Sequence, residues 1–472
     1  MVSSGELQAG RNVKTIVIVV VIVAVLGAAV VIIILPPPQV GEQTLTILTR
    51  HDTSIQSVFE TAFLATDFAK QNNIKDIMWK TQAGSYWKQV IDGGGVDVLW
   101  GGGPTLFDQM QRDGHLQSLN STHMLTVLAR VPNEIAGADM KRNNTEGQTI
   151  WVAAAISSFG FTINKAFLTD YGLPTPETWT DLADPIWGSI LPTATIAMGN
   201  APATTSNTRI YEIMTQGMGW NNGWVNLARM AGSARLYQGS VETQSAAETE
   251  QVGVAMSIDY YGLSSQVNNP DCEYVLPVNQ TIVNGDPIAI VKDTPKLTLA
   301  EGFLDFILSA EGQAYWFNPG INRMPVLAEA FLTERGLLHP DLYAVFNKTL
   351  ANQGIDFNDT LSLLTNAAFI YYFESVFNDA HDKLQTTWKA MVDAYYATNI
   401  TLPELDMLAA KMGTPVNVTV DLIEHQFTIE YATEINNDIL TSDIFRYNMK
   451  TLWTAAANAQ YDLVLAELLS MI

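Results

Sequence analysis

Three consecutive glycines follow a short apolar run at residues 96–100 and precede a helical pattern that begins at Pro104. The apolar run predicts a buried strand, and the glycines permit a sharp turn with no side chain above it. Pro104 suits the first position of a helix. The backbone N–H groups of Gly102, Gly103 and Thr105 would then face a polar or anionic ligand at a helix N-terminus. The spacing fits neither a phosphate-binding P-loop nor a dinucleotide fingerprint, so a turn without a ligand explains it equally well.

The chain before this turn alternates between strands and helices. Residues 44–48 alternate as a strand, and residues 74–79 and 96–100 predict two further strands, with helical apolar patterns between them. This β-α-β-α-β-α order predicts an α/β fold with a doubly wound sheet. In such sheets, ligands bind at the carboxyl ends of the strands. His51, in the loop after the first strand, and the glycine turn both lie at that edge.

The N-terminus predicts a membrane anchor. Residues 15–35 are uncharged and almost wholly Val, Ile, Ala and Leu, which is long enough for one transmembrane helix. Arg11 and Lys14 precede this run, and the positive-inside rule places residues 1–14 in the cytoplasm. Residues 36–43 then form a proline-containing linker to an extracellular region. A cleaved signal peptide is the alternative, although the run is long for one and lacks a clear cleavage site.

Composition agrees with an exterior location. The chain has 25 basic and 48 acidic residues, and the residues after the predicted helix carry 23 and 47 of them, a net charge of −24. Such a balance argues against a nucleic-acid partner. Cys272 is the only cysteine, so the fold depends on its core rather than on disulfides. Asn-x-Thr sequons that fit a glycosylated surface begin at Asn120, Asn143, Asn279, Asn347, Asn358, Asn399 and Asn417.

No catalytic signature is present in the sequence. There is no nucleophile elbow, P-loop, zinc-protease helix or paired-carboxylate motif. The sequence therefore predicts a protein that is not an enzyme and needs no cofactor.

Four segments carry a resemblance to a known family. They are FGFTIN at 159–164, PETWTDL with DPIWG at 176–188, GFLDFILSAEGQ at 302–313, and RMPV at 323–326. With these segments in this order, the chain resembles the extracellular solute-binding proteins of ABC importers, in particular the type II group that contains iron(III)- and thiamine-binding members. The resemblance extends from about residue 44 to residue 326.

The resemblance implies a two-lobed periplasmic-binding-protein type II fold with a hinged, ligand-binding cleft. We expect the first lobe to comprise residues 44–133 and 294–330, and the second lobe residues 134–293. The implied function is capture of a small ligand and its delivery to the permease and ATPase subunits of an importer. A ligand-sensing ectodomain and a structural surface protein are the alternatives. The first of these is disfavoured because about fourteen residues before the membrane are too few for an output domain.

The same resemblance suggests ligand-binding residues in the second lobe. The polar turn before residues 210–214 has the composition of a helix cap, and in the family the corresponding turn often binds an anion. Its candidate residues are Ser206, Asn207 and Thr208. The segment Asp259-Tyr260-Tyr261 stands where iron-binding relatives carry a tyrosine pair.

The bound ligand stays open at this point. Tyr260, Tyr261 and His51 could bind iron(III), because phenolate and imidazole suit that cation. However, the carboxylate that iron-binding relatives supply after the third strand is absent, since glycines occupy that position. An anionic or polar organic solute, with the tyrosines stacking on it, is the alternative to iron. Packing of both tyrosines at a hinge is a further possibility.

About 140 residues follow the region of resemblance. Apolar residues recur with helical spacing from Leu361 to Tyr395, and again in 405–411 and 444–469. We expect residues 331–472 to form a helical extension packed on the first lobe. A docking surface for the permease is its alternative role.

Overall fold

The computed structural model describes residues 41–82 and 84–472. The predicted cytoplasmic tail, the transmembrane helix at 15–35 and most of the linker lie outside the described residues. Within the described part, no helix combines the length and apolar composition that a membrane crossing requires.

The strands are β1 (Gln43–Thr49), β2 (Ile74–Thr81), β3 (Val98–Trp100), β4 (Glu134–Ile135), β5 (Ala138–Asp139), β6 (Lys141–Asn143), β7 (Thr149–Asn164), β8 (Ile196–Gly199), β9 (Ala234–Tyr237), β10 (Val254–Ile258), β11 (Cys272–Val275), β12 (Val283–Ile290), β13 (Asn417–Val420) and β14 (Ile423–Gln426).

The α-helices up to residue 313 are α1 (Thr53–Leu64), α2 (Asp67–Gln71), α3 (Trp87–Asp92), α4 (Pro104–Arg112), α5 (Thr122–Leu128), α6 (Lys165–Asp170), α7 (Thr205–Gly217), α8 (Trp220–Gly232), α9 (Ser240–Glu248), α10 (Asp259–Asn268), α11 (Leu297–Ile307) and α12 (Ala310–Gln313). Those after it are α13 (Pro340–Ala351), α14 (Asp359–Phe373), α15 (His381–Tyr396), α16 (Leu402–Gly413), α17 (Ile429–Thr441) and α18 (Asp443–Met471).

The main sheet has the strand order β2-β1-β3-β12-β7-β10-β8-β9, with β6 and β11 also paired to β7. β1 pairs in parallel with both β2 and β3, which confirms the predicted β-α-β-α-β opening. Leu45, Ile47 and Leu48 of β1 are fully buried, as expected for a central strand covered on both faces. The carboxyl ends of β1 and β3 therefore meet at one edge, where the His51 loop and the glycine turn begin.

Strand β7 joins the two parts of this sheet. It is 16 residues long, and its first half pairs with β6 and β12 while its second half pairs with β10 and β11. The apolar runs on either side of Ser157–Ser158 predict two separate strands, and this prediction is wrong. The two serines stay extended because Ser158 pairs with Val283 of β12 immediately before Phe159 pairs with Ile258 of β10.

Two large apolar clusters define the lobes. One contains residues of β1, β2, α1, α11 and the first half of β7, and we name this part the first lobe. The other contains residues of the second half of β7, β8, β10, α7 and α8, which we name the second lobe. The chain leaves the first lobe near Ser157 and returns between Ile282 and Val283, because both ends of β12 and residues 152–156 pack in the first cluster. These crossings lie about 24 residues after and 11 residues before the expected boundaries at 133/134 and 293/294.

The C-terminal extension was expected to pack on the first lobe, but most of it packs on the second lobe. Helix α13 does contribute Leu342 and Phe346 to the first-lobe cluster. Helices α14 to α18, however, share one continuous core with α7 and α8. Trp388 of α15 shows this contact, since its Nε1 donates to Ser233 Oγ at 2.8 Å at the end of α8. The extension consists mainly of helices, with the hairpin of β13 and β14 between α16 and α17, and its apolar spacing does not specify which surface it covers.

Candidate functional site

The loop between β1 and α1 places His51 and Asp52 at the carboxyl edge of the first-lobe sheet. Thr49 Oγ1 donates to the carbonyl of Trp100 at 2.8 Å and accepts from the backbone N–H of His51 at 3.0 Å. Asp52 caps α1 by accepting hydrogen bonds from two backbone N–H groups of the first turn. The N-terminus of α1 is thus occupied by the chain's own carboxylate.

The glycine turn between β3 and α4 faces this loop. All three glycines have positive φ, at 78°, 114° and 85°, a region that side chains disfavour. A Cβ atom at Gly101 would lie 2.6 Å from His51 Nε2, so the turn leaves room for the imidazole. The N–H of Gly102 donates to Asp286 Oδ1 at 3.1 Å. The predicted strand-turn-helix is confirmed, but one N–H group that was expected to face a ligand is already bonded.

A buried ion pair lies in the first lobe, beside the crossing point of β7. Arg323 Nη1 is 2.7 Å from Asp286 Oδ2, and Arg323 Nη2 donates to Ser157 Oγ at 3.0 Å. His51 lies beside the pair, with Nε2 3.4 Å from Asp286 Oδ2. All four residues are more than nine-tenths buried. This cluster connects the first β-α loop, the central strand β12 and the crossing point of β7.

His51 is uncharged at neutral pH. Its ring packs edge-on against Trp100 and Trp316, with centroids 4.7 and 5.7 Å away. Burial lowers the pKa of His51 to about 4, and the nearby Asp286 carboxylate offsets this only in part.

Asp259 links the start of α10 to the crossing point of β7. One of its carboxylate oxygens accepts from the N–H and the hydroxyl of Ser158, at 2.8 and 3.1 Å, and the other from the N–H of Tyr260 at 2.7 Å. The side chain is fully buried, and this burial raises the pKa of Asp259 to about 6 despite those hydrogen bonds.

One tyrosine of the pair contacts the first lobe. Tyr260 Oη donates to Asp52 Oδ2 at 2.7 Å, which links α10 of the second lobe to α1 of the first. The rings of Tyr260 and Tyr261 lie 4.7 Å apart. Burial, with the Asp52 charge adding to it, raises the pKa of both phenols above the ordinary value. Both tyrosines are therefore held as neutral hydroxyls.

Arg50 is a cation near this pair. Burial is the main cause that lowers the pKa of its guanidinium, and the effect of Tyr261 opposes it. Its aliphatic stem covers Gly102, where a Cβ atom would come within 2.9 Å of Arg50 Cγ. Within residues 41–82 and 84–472, the guanidinium of Arg50 has no hydrogen-bond or ion-pair partner.

The polar turn of α7 is mostly bonded within itself. Asn207 Oδ1 accepts from the N–H of Gly199 at 2.8 Å, and Thr208 Oγ1 donates to the carbonyl of Thr204 at 2.6 Å. Ser206 Oγ pairs with the hydroxyl of Ser240 at 2.9 Å. No side chain caps the helix, and its first turn contains no acidic residue. The side chains thus form a helix-terminal structure, and the backbone N–H groups of the first turn have no side-chain cap.

Some of the predicted site residues lie together in the structure, and others lie apart from them. His51, Gly102, Asp259, Tyr260 and Tyr261 meet in one connected region. The turn of α7 lies beside α9, because the hydroxyls of Ser206 and Ser240 are 2.9 Å apart.

Thr105 instead lies beside Arg209 of α7, whose Nη2 donates to its hydroxyl at 3.2 Å. A cavity of about 910 Å³ lies between α4 and residues 353–363, and none of the predicted site residues line it.

Sequence reasoning missed Arg323, Asp286 and Arg50. Arg323 lies in the RMPV segment, which identified the family but carried no assigned role. Asp286 is a lone acid within the buried strand β12, and an acid in an apolar run was the available signal. In the described part of the chain, no group of three or more His, Cys, Asp or Glu side chains could hold a metal ion.

Two lobes share the crossing strand β7, and polar side chains lie where the lobes meet, an arrangement that suits capture of a ligand between them. Residues 48–314 match the bacterial extracellular solute-binding protein family, and because the match covers more than half of the chain, the protein belongs to that family. The prediction of this class from the sequence is confirmed. The match does not distinguish an iron- or thiamine-binding subgroup.

Several individual proteins are similar to this chain. The phosphoglycerate transport regulatory protein PgtC of Salmonella typhimurium is 24% identical over 292 residues, which cover 58% of this chain and 68% of PgtC. The solved GacH receptor of Streptomyces glaucescens has a TM-score of 0.58 at 14% identity, covering 75% of this chain and 98% of GacH. AfuA of Actinobacillus pleuropneumoniae, solved with fructose-6-phosphate, has a TM-score of 0.51 at 17% identity, covering 73% and 97%. At these identities the two structures support the fold alone.

Proposed function

We propose that this protein is the solute receptor of an ABC importer and closes its lobes on an anionic, phosphorylated organic solute. In this proposal the cleft is formed by Arg50, the glycine turn, the turn of α7 and the Tyr260–Tyr261 pair. The bound solute is then delivered to the permease and ATPase subunits. Closure requires no chemistry, because a ligand that contacts both lobes favours the state in which both contacts exist.

The unpartnered guanidinium of Arg50 is the observation that supports an anionic ligand. A half-buried cation without a counter-ion is costly, and a ligand carboxylate or phosphate would remove that cost. Helices α4 and α7 add to this, because neither has a side-chain cap or an acidic residue in its first turn. Each uncapped N-terminus favours a negative group by about 0.3–1 kcal/mol when exposed.

The relatives agree with a phosphorylated solute. PgtC is named for phosphoglycerate transport, and AfuA was solved with fructose-6-phosphate bound. These are properties of those proteins, and they motivate the choice of solutes to test on this one.

Iron(III) is the less favoured ligand. Ligation by Tyr260 and Tyr261 requires at least one phenolate, but burial raises the pKa of both phenols. Tyr260 is also engaged with Asp52, and His51 lies against the Arg323 guanidinium, whose charge opposes a second cation. The glycine turn supplies no carboxylate. We therefore propose that the tyrosines contact an organic solute by hydrogen bonding and stacking.

Calorimetric titration of the full chain with 3-phosphoglycerate, fructose-6-phosphate, glycerate and fructose tests this proposal. We expect at least one phosphorylated solute to bind tenfold or more tightly than its unphosphorylated counterpart. Arg50→Gln should weaken that binding by about 10- to 100-fold, the usual value of a hydrogen bond to a charged group.

Lys75→Gln is the matched control, because it removes one positive charge from an exposed position on β2. It should leave the affinity unchanged. A visible charge-transfer colour with iron(III)-citrate that is lost in Tyr260→Phe/Tyr261→Phe would instead establish the iron-binding alternative. Equal binding by both Arg50→Gln and wild type would remove Arg50 from the site.

A ligand-sensing role is the second candidate function. It is supported by one observation, namely that the relative PgtC is named a regulatory protein. Uptake of the radiolabelled solute distinguishes the two roles, because deletion of the gene should abolish uptake if the protein is the importer's receptor. Normal uptake with lost transcriptional response to the solute would favour sensing.

We also propose that residues 15–35 anchor the protein, with the lobes outside the cell and glycosylated at the sequons. The uncharged run and its positive flank support this topology. Protease added to intact cells should then degrade the lobes, and complete protection of the lobes would contradict the exterior location.

A further inference from the structure

The segment that connects α13 to α14 runs beside the return crossing between the lobes. The N–H of Asn279 donates to Asn352 Oδ1 at 2.8 Å, and the N–H of Ile355 donates to the carbonyl of Thr281 at 3.0 Å. Thr281 lies immediately before the crossing into β12. The start of the extension is therefore fastened to the part of the chain that must bend when the lobes move.

The same segment continues onto Arg209 of α7. Arg209 Nη2 donates to Asp359 Oδ1 at 2.6 Å, Nη1 is within 3.4 Å of Ser362 Oγ, and the guanidinium lies 4.5 Å from the ring centroid of Phe357. All three partners belong to the extension. The side chain of Arg209 is only 9% exposed, and Nη1 also contacts Glu212 Oε2 at 3.2 Å. Its orientation is thus determined largely by residues 357–362.

In this orientation Arg209 reaches the other lobe. Nη2 donates to Thr105 Oγ1 of α4 at 3.2 Å, so a second-lobe arginine that the extension holds contacts the first lobe. This bridge lies apart from the Tyr260–Asp52 contact, which also joins the lobes. If the lobes separate, the Arg209–Thr105 bond must break.

We propose that the C-terminal extension holds Arg209 against Thr105 and so stabilises the closed arrangement of the lobes before a solute binds. Arg209 is then a positioning residue, and Asp359 is the extension residue that aims it. Loss of the bridge lowers the closed fraction of the free protein. The apparent affinity for a solute falls by the same factor, because the solute must then supply the closure free energy. The proposal builds on the solute-receptor function, but its test requires no solute.

The distance between the lobes of the free protein tests this role. Spin labels can be attached at Thr61→Cys on α1 and Thr169→Cys on α6, both exposed positions. Cys272 should stay unlabelled, because it is buried and burial raises the pKa of its thiol to about 11. Pulsed electron resonance then gives the label-to-label distance distribution.

We expect Asp359→Asn to shift this distribution away from the wild-type distance without unfolding the protein, because Arg209 keeps Glu212 as a counter-ion. Thr105→Val removes the first-lobe end of the bridge and should produce the same shift. Asp356→Asn is the matched control, since Asp356 is an exposed acid of the same segment, and it should leave the distribution unchanged.

Wild-type distance distributions in both Asp359→Asn and Thr105→Val would overturn the proposal. So would an equal shift in Asp356→Asn, because the effect would then follow from charge in the segment rather than from the bridge. Failure of every solute to bind would count against the proposed function but would leave this result intact. Where a solute is identified, Asp359→Asn should bind it more weakly by the factor by which the closed fraction falls.

Discussion

Arg323→Met should lower the free energy of unfolding by about 3–5 kcal/mol, the usual cost of leaving a buried charge without its partner. The substitution removes the guanidinium that lies 2.7 Å from Asp286 Oδ2 and leaves that carboxylate with one backbone hydrogen bond, from Gly102. Urea unfolding followed by tryptophan fluorescence measures the loss. The expected effect is large because Asp286 is only 5% exposed, so water cannot replace the lost partner.

The double variant Arg323→Met/Asp286→Asn separates the lost pair from the lost packing. With both charges removed, no buried ion is left without a partner, so the double variant should be more stable than Arg323→Met alone. A coupling free energy near zero in this cycle would show that the two side chains act independently. That result would contradict the role assigned to the ion pair.

The second large effect concerns pH. His51 has a folded-state pKa lowered to about 4, so it contributes stability above pH 6.5 that is lost as the pH falls toward 4. Asp259 has a folded-state pKa raised to about 6, so the folded state is favoured below pH 3.8 and loses stability as the pH rises through 6. Each effect amounts to about 3 kcal/mol, and the two have opposite signs over nearly the same pH range.

Single substitutions should reveal the two effects. In Asp259→Asn only the His51 effect remains, and unfolding free energy should decrease by about 3 kcal/mol more than in wild type between pH 6.5 and 4. In His51→Gln the remaining Asp259 effect should make the protein relatively more stable at pH 4 than at pH 6. Urea midpoints at four pH values measure both slopes. If the unfolding free energy of both variants changed with pH as that of the wild type does, neither His51 nor Asp259 would have the shifted pKa that its burial indicates.

The local elements of the site were predictable because they depend on short-range patterns. The strand, glycine turn and proline-initiated helix at residues 98–112 and the strand before Asp259 follow directly from apolar periodicity and turn chemistry. These signals lie within about ten residues of the features that they predict. The helix that begins at Asp259 and carries Tyr260 and Tyr261 was not predicted.

The long-range contacts were not predictable in this way. More than 230 residues separate His51 from Asp286, and 37 residues separate Asp286 from Arg323. Only the tertiary fold brings these three side chains together. The packing of the extension was unpredictable for a related reason. The spacing of Trp388 and its neighbours indicates that one helix face is buried, but it does not indicate which lobe covers that face. Ser157–Ser158 suggested a break between strands, whereas pairing with β12 and β10 keeps the backbone extended there.

The continuous strand β7 has a mechanical consequence. Its first half is fixed in register to β12 and its second half to β10, so neither lobe can slide along the strand without breaking its ladder of hydrogen bonds. The strand therefore behaves as a leaf spring that is clamped at both ends and can flex only over the short span at Ser158 and Phe159, where the two ladders meet. Relative motion of the lobes is reduced to bending and twisting about this short span. A stiffer or softer backbone in this span would change the rate at which the lobes separate, and the pairing of each half of β7 with its own lobe would stay the same.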